Sequence, residues 1–147
     1  MAIQRGLGFG AQKHFTLQCD FIVYLSPKMF REFIFPLILE ECRYFDRTIW
    51  HLDGPLELPH LDSLLSIREL DCIQWIQGEG NPDSGEECWI PLYRKIQEKG
   101  KLLQIFVPSR KVTKILSKIK HKGVAIRTTC ASSMEARKLI KEIEEKF

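Results

Sequence analysis

Hydrophobic positions follow two different periods along this chain. From Ser26 onward, Phe30, Phe33, Ile34, Leu37, Ile38, Glu41 and Phe45 recur at spacings of three and four, which predicts one amphipathic helix over residues 26–44. Ser26 is placed to cap it and Pro27 to occupy its first turn, while Pro36 inside the run predicts a kink. Its face is too apolar for a free surface helix and calls for a sheet or a partner to pack on. Beyond it the pattern changes to short apolar runs that end at chain breakers: residues 47–52 before Gly54-Pro55, 72–76 before Gln77-Gly78, 102–107 before Pro108, and 124–128. Each reads as a strand. Helical periodicity fills the intervals over residues 60–67, over 89–99 with Gly100 as the stop, after Ser109 with Val112, Ile115, Leu116 and Ile119 as the stripe, and over 133–146 with Leu139, Ile140 and Ile143 inward. Residues 15–25 are rich in aromatic and β-branched side chains and read as a short strand or a buried loop.

Strand and helix in strict alternation give parallel strands joined by right-handed crossovers. The expected fold class is therefore α/β: four parallel β/α units, half of an eight-stranded barrel or a small open sheet, preceded by the amphipathic helix. At 147 residues and 44% hydrophobic content the chain supports one domain, assigned to residues 15–147, with a flexible arm over residues 1–14. The Gly6, Gly8, Gly10 run lacks the preceding strand that a dinucleotide fingerprint needs.

Charge and cysteine content exclude several classes. Twenty-two Lys and Arg against nineteen Asp and Glu leave a formal charge of +3, too weak for a nucleic-acid footprint. Lys111, Lys114, Lys118, Lys120 and Lys122 read as a solvated helix face. No apolar run approaches the roughly 18 residues of a membrane span, and the N-terminus has no signal-peptide core, so the expected location is cytoplasmic, with no membrane partner. Cys19, Cys42, Cys72, Cys88 and Cys130 are an odd set without CxxC spacing and read as free thiols.

The candidate chemistry lies at the strand exits, where loops converge in repeating β/α folds. His51 and Asp53, one residue apart on an extended strand, share a face, and alternation sends Trp50 to the other. Cys130 stands at the last strand exit beside Thr128, Thr129 and Ser132, where free N–H groups at a helix start favour an anion or a thiolate. Gln74, Gln77 and Glu79, with Trp75 among them, are substrate-binding candidates at the second exit. His60 and Asp62 read as outer partners of a metal-bound histidine or as helix caps, and Tyr24 and Arg31 as further pocket candidates. Plainer readings stand beside these: a strand-end histidine bonded to backbone, Asp-Gly as a turn pair, and a buried cysteine acting as a small hydrophobe.

Several segments together resemble the uroporphyrinogen decarboxylase superfamily: Gln18-Cys-Asp-Phe21, Ser26-Pro-Lys-Met-Phe30, Tyr44-Phe-Asp46, His51-Leu-Asp-Gly54, His60-Leu-Asp-Ser-Leu-Leu65, Ile73-Gln-Trp75, Trp89-Ile-Pro-Leu92 and Cys130. The resemblance runs from about Cys19 to the end and implies the C-terminal half of a (β/α)8 TIM barrel. It implies one of two chemistries: cofactor-independent decarboxylation of a tetrapyrrole, or zinc-assisted methyl transfer involving a thiol, such as coenzyme M, or a corrinoid. In the zinc branch a histidine and a cysteine one residue apart join a distant cysteine. His51 and Cys130 match two of these, and Asp53 stands where the near cysteine belongs, so the implied metal set is His51, Asp53 and Cys130, with His51 and Asp53 also the catalytic candidates. A half barrel implies a homodimer or a complementary N-terminal half-barrel polypeptide. The leading expectation is a zinc-dependent methyltransferase; the alternatives are the tetrapyrrole decarboxylase, with Asp53 as its acid, and a non-catalytic split subunit that needs a partner.

Overall fold

The computed structural model describes residues 13–147. The Gly6–Gly10 run and most of the expected arm lie outside the described residues. Five strands form one parallel sheet in the order β1-β2-β3-β4-β5: β1 (His14–Leu17), β2 (Arg47–Asp53), β3 (Cys72–Ile76), β4 (Leu102–Phe106) and β5 (Val124–Arg127). The helices between and after them are α1 (Pro27–Met29), α2 (Phe35–Tyr44), α3 (Leu61–Ser66), α4 (Ile90–Glu98), α5 (Val112–Leu116) and α6 (Ser133–Lys146). Four of the strands coincide with the four apolar runs of the sequence. The fifth, β1, opens the stretch read as a short strand or a buried loop: it pairs with β2 from His14↔Arg47 to Leu17↔Trp50, and only Leu17 of its four residues is buried. A short edge strand of this kind carries little of the alternation from which strands are read.

Because every strand lies beside its sequence neighbour and all run parallel, crossovers of one hand place the helices on one face of the sheet. That face carries Leu17, Trp50, Leu52, Ile73, Trp75, Leu103 and Ile105, all at most 1% exposed. They form one core with Ile38, Leu61, Leu64, Tyr93, Ile96 and Ile115 from the helices. The alternate residues of the same strands, among them Ile49, His51, Gln74, Gln104 and Arg127, are half-buried or exposed. Among the described residues β1 and β5 are each paired on one side only.

The helix expected over residues 26–44 forms with a defect. Ser26 Oγ accepts from Met29 N at 3.2 Å, as a cap should, but residues Phe30–Ile34 make a π-turn before α2 begins. Pro36 explains it: proline offers no N–H and its ring crowds the carbonyl four residues back, so the preceding turn widens. The defect also rotates the apolar stripe. Phe30, Ile38 and Cys42 are buried, whereas Met29, Phe33, Leu37 and Tyr44 stay largely exposed on the outside.

The amino ends of the strands are closed by saturated polar contacts. Asp71 accepts from Thr48 N at 2.9 Å and from Arg47 at 2.8 Å, and Lys101 Nζ donates to the carbonyls of Ile67 and Leu70 at 2.5 and 2.7 Å. At the carboxyl end the chain turns at Gly54, whose N–H reaches across to Ile76 O at 2.8 Å. Gly54 has φ 83° and ψ 170°, a region open essentially to glycine. A Cβ there would find ordinary space, with Gln77 O and Gly78 Cα both at 3.8 Å, so the cost of a side chain is conformational. Gly54→Ala is expected to destabilise the fold by about 1–3 kcal/mol, measured by urea denaturation, with the slope of the transition unchanged.

Candidate functional site

Strand register sets the open face of the sheet in rows. His51 lies opposite Gln74, Gln74 opposite Gln104, and Gln104 opposite Ala125. Nearer the carboxyl ends, Asp53 is opposite Ile76 and Phe106 opposite Arg127. Nearer the amino ends, Thr16, Ile49, Cys72 and Leu102 follow one another. A cavity of about 610 Å³ runs over the carboxyl-side rows, lined among others by Gln18, His51, Gln74, Gln104, Phe106 and Arg127. A more apolar one of about 370 Å³ covers the amino-side row around Ile49, Cys72 and Leu102. Burial pushes the Cys72 thiol up to about 12, which leaves it protonated and unreactive.

His51 is the best-prepared group on this face. Its Nδ1 lies 2.5 Å from Gln74 Oε1. An amide oxygen only accepts, so this contact assigns the proton to Nδ1 and leaves the Nε2 of the neutral ring with its lone pair. Asp53 is on the same face and exposed, as the spacing of the two residues requires. Its backbone N–H donates to Glu57 Oε2 at 3.2 Å.

Glu57 is the group that the sequence reading missed. It is fully buried in the short 3-10 segment Pro55–His60, and burial raises its carboxyl to about 7, against the lowering effects of the Asp53 N–H and the Trp50 indole N–H; the charges of Asp20 and Asp53 raise it further. Its Oε1 has no hydrogen-bond partner. The only trace in the sequence is an acid flanked by Leu56 and Leu58 in a proline-bounded loop.

The remaining candidates separate. Trp75 does not line the open face: it is fully buried and packs on Trp89 with ring centroids 4.9 Å apart, because alternation that exposes Gln74 and Ile76 turns Trp75 to the helices. Gln77 Oε1 accepts from Ser84 Oγ at 2.7 Å, and Tyr93 OH donates to Ser84 O at 2.7 Å, so Gln77 anchors the following loop. Glu79 is exposed on that loop. Of the four substrate-binding candidates, Gln74 is the one that lines the cavity. His60 is buried, with Nε2 donating to Ile22 O at 2.9 Å and its ring 4.5 Å from that of Phe30; it ties loops together and caps no helix with its side chain. Asp62 pairs with Lys95 at 2.7 Å. Tyr24 and Arg31 are exposed, and neither lines the cavity.

Cys130 is half-buried beyond the end of β5. The helix start beside it is already satisfied: Glu135 Oε2 accepts from Ala131 N at 2.7 Å and Ser132 Oγ from Glu135 N at 3.1 Å. Among the described residues no three His, Cys, Asp or Glu side chains come together in a group that can hold a metal, so His51, Asp53 and Cys130 are not gathered into one. Nor does any helix among them have the length and apolarity to cross a membrane.

These elements define a parallel α/β sheet protein with helices on one face and a polar, histidine-centred cavity on the other. Compared with sequence models of protein families, with curated proteins and with solved structures, the chain matches none.

Glu57 makes the fold sensitive to pH. Its carboxyl stands at about 7 when folded against an ordinary 4.5, so the folded chain holds this proton more tightly than the unfolded one. The contribution is fully present below pH 4.5 and is lost as pH rises through 7, a difference of about 3 kcal/mol at 1.36 kcal/mol per unit. Urea denaturation between pH 5 and 8 is expected to show wild type losing a large part of that stability and Glu57→Gln losing far less. Parallel profiles for the two proteins would remove Glu57 as the cause.

Proposed function

We propose that the chain is one part of an enzyme of the uroporphyrinogen decarboxylase superfamily type, a half barrel whose reaction zone is the open face at the carboxyl ends of β2 to β5 and whose chemistry is methyl transfer to a thiol. The observation that carries this reading is the His51–Gln74 contact at 2.5 Å, which holds the ring in one tautomer with Nε2 free over the cavity. His51 then takes the proton from the substrate thiol at Nε2. The sulfur forms its bond to the methyl carbon as the bond from that carbon to its carrier breaks, the electron pair leaving with the carrier. Gln74 Oε1 continues to accept from Nδ1–H in the resulting imidazolium, so charge develops without reorientation.

Zinc would be held by His51, Asp53 and Cys130, and the fit is incomplete. His51 has the outer-shell support common to metal-ligating histidines, and Asp53 shares its face, but the three do not assemble into a metal-holding group. No step is therefore routed through a metal. The partner is a second copy or a polypeptide supplying the other half barrel; the uncovered sheet face and the exposed Met29, Phe33, Leu37 and Tyr44 support that need.

The test is thiol-dependent demethylation of methylcobalamin, followed by absorbance, together with zinc analysis of protein purified without chelator. Activity is expected to fall by roughly 10²-fold or more in His51→Gln, with zinc far below one per chain and unaffected by Cys130→Ser. Stoichiometric zinc lost in Cys130→Ser would replace the base role of His51 by a ligand role. Absence of demethylation, with tetrapyrrole binding seen instead, would move the reading to the decarboxylase branch with Asp53 as its acid.

A further inference from the structure

The cavity contains a set of hydrogen-bond donors that the proposed thiol chemistry does not use. Gln74 spends its amide oxygen on His51 Nδ1, which leaves its NH₂ group as the end available to a ligand. Directly across the strand pair stands Gln104, half-buried. One strand further and two residues on is Arg127, in register with Phe106. The Arg127 guanidinium sits over the Phe106 ring, 5.4 Å from its centroid, and among the described residues no carboxylate pairs with it. All three side chains line the same cavity of about 610 Å³.

Several of the chain's other cations are already held by partners. Lys111 is held by Asp83 and Glu86, Lys114 and Lys118 by Glu87, and Lys101 by three backbone carbonyls. Arg127 is oriented by an aromatic face and keeps its planar fork of donors free toward a concave surface. The acid that lines this cavity is Glu41, exposed on α2, and it forms no ion pair with Arg127.

We propose that Arg127, Gln104 and Gln74 form a binding site for an oxyanion carried by a small molecule, a carboxylate or a phosphate, with the guanidinium making paired hydrogen bonds and the two amides donating to further acceptor oxygens. A planar guanidinium fits either anion in a bidentate way, and the two NH₂ groups beside it favour a ligand with several acceptors over a simple monoanion. The site requires only the open face of the sheet and does not depend on which chemistry His51 serves.

Nuclear magnetic resonance of the isotopically labelled full chain tests it, with citrate and inorganic phosphate as separate probes. The expected result is a saturable shift of the Arg127 Nε–H and of the Gln74 and Gln104 side-chain amide signals, with the tighter of the two probes identifying the anion. Arg127→Gln is expected to weaken binding by about tenfold or more, and Arg127→Lys to recover only part of it. Arg127 is exposed at the end of β5, so an otherwise unchanged spectrum verifies that the variants fold. Absence of a saturable shift with both probes, or equal affinity in Arg127→Gln, would overturn the site while leaving the demethylation result unaffected.

Discussion

A parallel sheet covered on one face is the constraint from which the rest of this structure follows. Consecutive strands lie side by side and all run the same way, so the handedness of the crossovers stacks every helix on one side. Alternation then divides each strand into two populations. Trp50, Leu52, Ile73, Trp75, Leu103 and Ile105 face the helices and build the core, and the residues between them are turned to the uncovered side. Sequence positions on that side are freed from packing duty, and they are where the polar groups collect: His51, Gln74 and Gln104 fall in one row across three adjacent strands. A row of this kind inside an apolar layer would leave donors and acceptors unpaired at a cost of about 1–3 kcal/mol each. On an open face water satisfies them, and a ligand can replace the water.

The two ends of the sheet are built to different purposes. At the amino ends, Asp71 and Lys101 use their charges on Arg47 and on backbone groups of neighbouring segments, and the cavity on that side is the more apolar of the two. At the carboxyl ends the contacts are fewer, and each leaves something over. Gln74 orients His51 and retains its NH₂ group. Glu57 receives the Asp53 N–H on one oxygen and leaves the other without a partner. Arg127 rests on Phe106 without an acid. Polar groups with hydrogen-bonding capacity to spare at the carboxyl ends are the physical ground for proposing the site there, and the glycine turn at Gly54 holds that end in position.

Four of the five strands were legible in the sequence because each is a short apolar run closed by a glycine, a proline or a polar cluster, a local signal that tertiary packing has no reason to override. β1 lacked it and stayed open between a short strand and a buried loop, because an edge strand with one buried residue in four has no strong pattern to read. The kink at Pro36 was legible as chemistry, but its form as a π-turn, and the rotation that leaves Phe33 and Leu37 outside, depend on how the widened turn meets the sheet. Within the site, two-residue alternation correctly set His51 and Asp53 on one face and Trp50 on the other. The same rule, applied from Gln74, turns Trp75 inward; naming it a pocket residue gave proximity in sequence more weight than the pleat. Glu57 escaped altogether, since its burial comes from the packing of the 3-10 segment against the segment around Asp20 and Ile22, and nothing in Pro55-Leu-Glu-Leu-Pro59 announces that. The separation between Cys130 and His51 is set by the number of strands between them, which a one-dimensional pattern of residues does not reveal until register is known.

On the proposed half-barrel reading, the uncovered face and the edges β1 and β5, each paired on one side only among the described residues, express the same demand. Beside β1, the outer surface of the α1–α2 region exposes Met29, Phe33, Leu37 and Tyr44, and α6, which follows β5, exposes Met134 and Ile140. A closed barrel would bury the open face and pair both edges, and these side chains are where adjacent helices of such a closure would pack. Closure would also change the chemistry. Excluding water from above Arg127 lowers the local dielectric and would strengthen the hold on an anion proposed for the guanidinium. The contact that orients His51 lies within this chain, and in the proposed half barrel the complementary half would set how much water reaches it.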